Sequence, residues 1–242
     1  MTHLTHGMVL AAGLGLRMRP LTETTAKPLL PLHGRSLLDR ALDRLQSAGV
    51  EQAVVNAHWQ ADQVAAAVAG RTIPAITLQR EEQLLETGGG VARALPLLGP
   101  APFVVINGDS VVLDGPTPAL DRMAARFDPA LMDGLLLVVR TAQVDGEVGR
   151  GDFHLDPMGR VRRPKELELA PYIFSGVQLL APALFTDAPE GAFSLNLLYD
   201  RAIEAGRLYA LVHDGIWFHL STPADLERAE AAMESGLVKA LF

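Results

Sequence analysis

Short apolar runs recur along the first half of the chain with helical segments between them, and this alternation constrains the fold most. Residues 8–11, 52–56, 75–79 and 103–106 read as buried strands. Between the first two, Leu37, Leu38, Ala41, Leu42, Leu45 and Ala48 fall on one face at helical spacing, and Gly49 stops the run. Further helices are expected over 61–69 and 88–98. Such alternation predicts an α/β fold: a Rossmann-like three-layer sandwich around a central, mostly parallel mixed sheet. Ligands on these sheets sit beyond the carboxyl ends of the strands. Residues 11–17, 56–58 and 107–109 all fall at such ends, so they are expected to face one cleft.

The second half is less regular. It predicts a helix over 116–128 outside the sheet, a central strand at 135–139 and a hairpin that starts near Gly149 and turns at 156–159. A strand at 172–180, a helix at 194–205, strands at 208–212 and 216–220, and a closing helix at 222–233 capped by Thr222 or Ser221 complete it. At 242 residues and 49% hydrophobic, without repeats or linkers, the chain is expected to be a single domain spanning 1–242. The net charge of −7 argues against a nucleic-acid partner. The absence of cysteine excludes disulfides, thiolate metal sites and cysteine nucleophiles. No run is long enough for a membrane span, and residues 1–7 lack signal-peptide character, so a cytoplasmic protein with a loose N-terminal tail is expected. Leu237, Leu241 and Phe242 form an apolar tail open to a partner, which leaves monomer and homodimer both in play.

The chemistry concentrates in the stretch from Met8 to Pro31. Ala12-Gly13-Leu14-Gly15 follows the first strand with little side-chain bulk, so backbone N–H groups can approach a polyanion. Arg17, Arg19 and Lys27 follow, a composition suited to phosphate groups. The two standard phosphate loops do not fit. A dinucleotide fingerprint needs a glycine where Met18 stands, and no Gly-Lys-Ser/Thr string occurs. Pro20 and the polar run 22–25 argue for a long loop rather than an immediate helix.

The run from Leu10 to Thr22 (LAAGLGLRMRPLT), followed by Lys27-Pro28, Pro31 and Gly34, resembles the signature of the sugar-1-phosphate nucleotidylyltransferases. The resemblance implies metal-dependent transfer of a nucleoside monophosphate from a triphosphate to a sugar 1-phosphate, with Mg²⁺, or Mn²⁺, as cofactor. It implies Arg17 on the β- and γ-phosphates, Lys27 beside the α-phosphate, and Asp109, which ends a strand in Asn107-Gly108-Asp109, as a metal ligand. A second metal carboxylate is usual in a Trp-x-Asp-x-Gly-Thr string, but this chain has Trp217-Phe218-His219-Leu220-Ser221-Thr222. His219 is therefore a direct ligand, a ligand through water, a mark of a weakened site, or a packed core histidine. The chain ends soon after the last helix, so a following acyltransferase-type repeat domain is not expected.

Further strings narrow the resemblance. Asn56-Ala57-His58-Trp59, Leu85-Glu86-Thr87-Gly88-Gly89-Gly90 and Gly149-Arg150-Gly151-Asp152-Phe153 resemble the branch of that family that joins UTP to N-acetylmuramate 1-phosphate in peptidoglycan recycling. By that resemblance residues 8–110 form the nucleotide half, contacting it through Leu10, Ala11, Ala12, Gly13, Gly15, Glu86, Thr87 and Gly88. Residues 111–242 form the closing half, and Asn107, Gly149, Asp152, Ser175, Gly176 and Asn196 line the sugar side. A lactyl carboxylate would pair with a cation such as Arg150 or Lys165. Two alternatives remain: GTP with a mannose or heptose 1-phosphate, and a nucleotide-sugar-binding regulatory protein without turnover.

Overall fold

The computed structural model describes residues 2–144, 149–235 and 238. The elements run β1 (His6–Leu10), β2 (Pro31–Leu32), β3 (Arg35–Ser36), α1 (Leu37–Ser47), β4 (Gln52–Ala57), α2 (Ala61–Val68) and β5 (Ala75–Arg80). They continue with α3 (Glu86–Leu98), β6 (Phe103–Asn107), β7 (Val111–Leu113), α4 (Ala119–Arg126) and β8 (Gly134–Arg140). The last third holds β9 (His154–Leu155), β10 (Val161–Arg162), β11 (Tyr172–Leu180), α5 (Leu195–Glu204), β12 (Leu208–Val212), β13 (Ile216–Phe218) and α6 (Pro223–Glu234).

The central sheet has the order β12-β8-β11-β6-β1-β4-β5. Only β11 runs against its neighbours, pairing antiparallel with both β6 and β8. Alternate residues of each strand serve opposite faces, because successive side chains on a strand point to opposite sides. On β6, Val104 and Ile106 join the face covered by α1, α2 and α4, where Leu42, Leu45, Val64 and Met123 pack. Phe103 and Val105 join the other face, where Val91, Ala94 and Leu98 of α3 meet Leu198 and Tyr199 of α5. The expected three-layer sandwich is therefore the observed one. A third apolar cluster joins Met18, Leu30 and Leu37 to Val111, Leu220 and Leu226, tying the glycine loop to the start of α6.

Several expectations are corrected. The N-terminal residues are not a loose tail: the Thr2 N–H bonds to the Ala124 carbonyl at 3.1 Å, Leu4 is buried in the sheet-face core, and β1 begins at His6. The strand expected at 216–220 stops at Phe218 and pairs with β7 in a two-stranded ribbon outside the main sheet. The helix expected from residue 116 begins only at Ala119, after Pro116 and Pro118, each of which lacks the N–H a helix interior needs. The hairpin at 154–162 forms as expected, with Asp156 accepting the Met158 and Arg160 N–H groups. Thr222 caps α6 in a reciprocal box with Asp225. The apolar tail Leu237, Leu241 and Phe242 lies outside the described residues. Among the described residues no helix is long and apolar enough to cross a membrane.

Candidate active site

The ends of β1, β4 and β6 are locked together by polar groups. Asn56, at 2% exposure, accepts the Ala11 N–H through Oδ1 at 2.8 Å and donates through Nδ2 to Glu81 Oε1 at 2.7 Å. Glu81 is itself buried and accepts the Leu85 N–H at 3.1 Å. This chain of bonds fixes the glycine loop against the start of α3, since buried polar groups hold whatever partners satisfy them. Gly15 adopts φ +63°, and a side chain there would meet Thr22 and Lys27 at 3.0–3.1 Å. Its carbonyl accepts the Thr22 hydroxyl at 2.7 Å, while Trp59 donates to the Thr22 carbonyl. Gly108 lets the turn after β6 pass under β1: its N–H reaches the Leu10 carbonyl at 2.8 Å, and a Cβ would stand 2.7 Å from that oxygen.

That turn delivers Asp109 to Lys27. The Lys27 ammonium donates to Asp109 Oδ2 at 2.5 Å and to the Leu220 carbonyl at 2.6 Å, and the residue is only 9% exposed. Two chambers meet at Asp109, and Lys27 lines the larger of them. The larger, about 610 Å³, is walled by Leu10, Ala11, Ala12, Gly13, Gly15, Leu16, Arg17, Lys27, Leu84, Glu86, Thr87 and Ser194. The smaller, about 300 Å³, is walled by Ser110, Asp152, Phe174, Ser175, Gly176 and His219. Arg17, Asn107, Asp109 and Ser221 border both. Arg17 is exposed and has no carboxylate partner among the described residues.

Three of the sequence candidates stand apart from these walls. Gly88 is buried with its N–H on the Phe193 carbonyl at 2.8 Å, and a Cβ would lie 2.3 Å from the Phe193 ring. The glycine run lies inside α3, where Gly88 and Gly89 pack against residues 191–193 and Gly90 against the Asn56 and Glu81 side chains. Asn196 sits on the outside of α5, accepting from Arg163 at 2.7 Å. Gly149 is exposed in a turn before Asp152, with φ +66°. Arg150 and Lys165 are not in the wall of the smaller chamber either. Of the strand-end residues expected to face one cleft, Leu16 and Asn56 line the larger chamber, whereas Ala57 and His58 line neither. Glu81 as a site-forming residue, and Leu84, Ser110 and Ser194 as lining, carried no such signal in the sequence.

On the smaller side, β11 bulges between Phe174 and Gln178. Gly176 takes φ +87° there, against Ser110 and Asn107, and Ser175 Oγ donates to the Leu137 carbonyl. The bulge re-aims the strand, as bulges beside sites do. Asp152 Oδ2 accepts the Phe174 N–H at 2.8 Å, which fixes its carboxylate beside the bulge. Burial pushes the His219 imidazole below its ordinary value of 6.5; Asp225 opposes this, Arg17 and Lys27 add to it, and Asp109 opposes it. A neutral ring keeps a lone pair for a cation.

Asp109 and His219 thus present a carboxylate and an imidazole to one chamber. Among the described residues no group of three or more metal-ligating side chains forms. A two-donor set of this kind fits a divalent cation that takes its remaining ligands from water and from phosphate oxygens, and not a closed structural site.

A glycine-rich basic loop, a strand-end carboxylate and a paired chamber at the switch between parallel strands define a nucleotidyltransferase. Residues 7–148 match the family described as the MobA-like NTP transferase domain, and the chain belongs to that family. It is similar to N-acetylmuramate alpha-1-phosphate uridylyltransferase of Caulobacter vibrioides, 42% identical over 231 residues that cover 93% of this chain and 96% of that one. The protein of the same name from Neisseria meningitidis serogroup B is 35% identical over 228 residues, with the same two coverages. The inositol-1-phosphate CTP transferase of T. maritima superposes with a TM-score of 0.77 at 17% identity, over 97% of this chain and 99% of that one, a likeness of fold.

Proposed function

We propose that this chain transfers a uridylyl group from UTP to N-acetylmuramate 1-phosphate and releases pyrophosphate. The observation that carries the reading is Asp109, paired with Lys27, at the junction of two chambers of unequal size. The larger suits a nucleoside triphosphate and the smaller a sugar phosphate. The two relatives of 42% and 35% identity, matched over nearly their full length, support the choice of substrates.

In this reading the acceptor phosphate oxygen attacks the α-phosphorus, the new O–P bond forms, and the bond to the β-phosphate oxygen breaks. The attacking oxygen is already ionised, so no general base is required and the work is alignment and charge neutralisation. Arg17, without a carboxylate partner among the described residues and bordering both chambers, holds the β- and γ-phosphates as charge gathers on the leaving group. Lys27 serves the α-phosphate. Leu10, Ala11, Ala12, Gly13, Gly15, Glu86 and Thr87 face the nucleotide, and Asn107, Asp152, Ser175 and Gly176 face the sugar. Asp109 and His219 would hold Mg²⁺ or Mn²⁺, whose chemistry there is to offset phosphate charge. The reaction belongs in the cytoplasm, in peptidoglycan recycling.

The test is pyrophosphate release with Mg²⁺ or Mn²⁺, crossing UTP, GTP, CTP and dTTP with several sugar 1-phosphates. Turnover confined to UTP with N-acetylmuramate 1-phosphate is expected. Turnover with GTP and a mannose or heptose 1-phosphate would replace the substrate pair, and silence with bound nucleotide would replace the enzyme by a binding protein. Asp109→Asn is expected to lower kcat by about 10²–10³, the usual loss for a group that stabilises transition-state charge.

A further inference from the structure

The Lys27 ammonium is held by oxygen atoms, Asp109 Oδ2 at 2.5 Å and the Leu220 carbonyl at 2.6 Å. A carboxylate and a main-chain carbonyl are also the donors that a hard divalent cation takes. Two cations on one carboxylate repel, and the repulsion is large where solvent is partly excluded, as it is around a lysine with 11% side-chain exposure. Lysine carries a compact charge on a flexible stem, so it can change partners without moving its backbone. Lys27 also borders the larger chamber, where a triphosphate would offer it phosphate oxygens.

We propose that Lys27 occupies the cation position at Asp109 in the resting protein, so that a divalent cation binds there only after a triphosphate has drawn the ammonium away. The proposal rests on the function given above for the larger chamber. Departure of Lys27 frees Asp109 Oδ2 and the Leu220 carbonyl together. The freed carbonyl neighbours His219 in sequence, so two elements of the cation site are released by one side-chain movement. Metal then enters with the nucleotide and not before it.

The experiment is a titration of Mn²⁺ with the full-length protein, reading free Mn²⁺ by EPR, with and without the α,β-methylene analogue of UTP. Wild type is expected to bind Mn²⁺ weakly alone and at least about tenfold more tightly with the analogue, above the binding of Mn²⁺ by the analogue itself, because a neighbouring charge shifts a carboxylate's cation affinity by that order or more. Lys27→Met, and Lys27→Gln, which keeps a donor toward Asp109, should bind Mn²⁺ alone about tenfold more tightly than wild type on the same ground. Adding Asp109→Asn to either should remove the gain. Wild type that binds Mn²⁺ equally with and without bound analogue overturns the proposal, and that arm needs no variant to fold. Variants no tighter than wild type overturn it as well. Equilibrium dialysis of the analogue separates the two readings: if it does not bind, the proposed function fails, and the metal-only comparison of wild type with variants decides this proposal.

Discussion

Alanine at Gly89 should destabilise the protein, while alanine at Gly13 should leave the fold intact and weaken substrate binding. Gly89 is buried in the first turns of α3. A methyl group there would stand 2.1 Å from the Gly191 carbonyl oxygen and 3.2 Å from its carbon, and both are main-chain atoms that cannot rotate away. Overpacking of this kind costs about 1–3 kcal/mol. Alanine returns up to about 1 kcal/mol through its better helix propensity. A main-chain atom at 2.1 Å puts the overpacking cost in the upper part of its range, about 2–3 kcal/mol. The net loss is therefore about 1–2 kcal/mol, and at about 2–4 °C per kcal/mol for a chain of this size Tm should fall by about 2–8 °C. At Gly13 a Cβ meets no heavy atom within 4 Å, and the residue lines the larger chamber. Its stability change should stay within about 0.5 kcal/mol, while KM for the triphosphate rises because the methyl group fills space where phosphates approach the backbone. Urea unfolding and pyrophosphate-release kinetics on both variants read the two effects. A Gly89→Ala protein as stable as wild type would refute the packing role assigned to this glycine run. Destabilisation of Gly13→Ala to the same degree would refute the open loop.

Three further outcomes follow. His219→Asp should retain turnover and shift its preference from Mn²⁺ toward Mg²⁺, measured as the ratio of kcat/KM with the two metals; an unchanged ratio with lowered stability would make His219 a packing residue. His213 is 3% exposed, its Nε2 lies 3.0 Å from the Leu113 carbonyl, and burial pushes its imidazole below 6.5. The unfolded chain therefore takes up the proton first, so the stability that neutral His213 contributes is full above pH 6.5 and declines as pH falls below it. His213→Gln should flatten that decline, compared by urea midpoints on either side of the transition, and an equal slope in the variant would exclude His213 as the source. Asp152→Asn keeps an acceptor for the Phe174 N–H and should raise KM for the sugar phosphate by about tenfold, the scale of one charge-assisted hydrogen bond. KM for UTP should stay unchanged, and a rise in that constant instead would move Asp152 to the other chamber.

Local patterns alone carried the layered α/β fold, the helix on 37–47, a cap at Thr222 or Ser221 and the strand-end placement of the glycine loop and Asp109. Each depends on neighbours within a few residues: apolar periodicity, a cap three residues from its partner, glycine beside a carboxylate. What depended on distant segments was not legible. Whether Gly88 and Gly89 of α3 face a ligand or a neighbouring loop was decided by residues 191–193, which pack onto them from about a hundred positions away. The strand end put Asn56 at the cleft, but its bonds to Ala11 and Glu81 exist only because β1, β4 and the segment before α3 lie side by side, giving buried polar atoms partners on another strand. The same holds for His219: its type was visible, but the downward push on its imidazole comes from burial, with Arg17 and Lys27 adding to it. The Lys27 contacts with Asp109 and Leu220, 82 and 193 positions along the chain, belong wholly to the tertiary structure. Sequence determines which groups are available, because composition and short-range backbone preference act locally. Only the folded chain decides which of them meet, because that depends on how the whole sheet and its covering helices close.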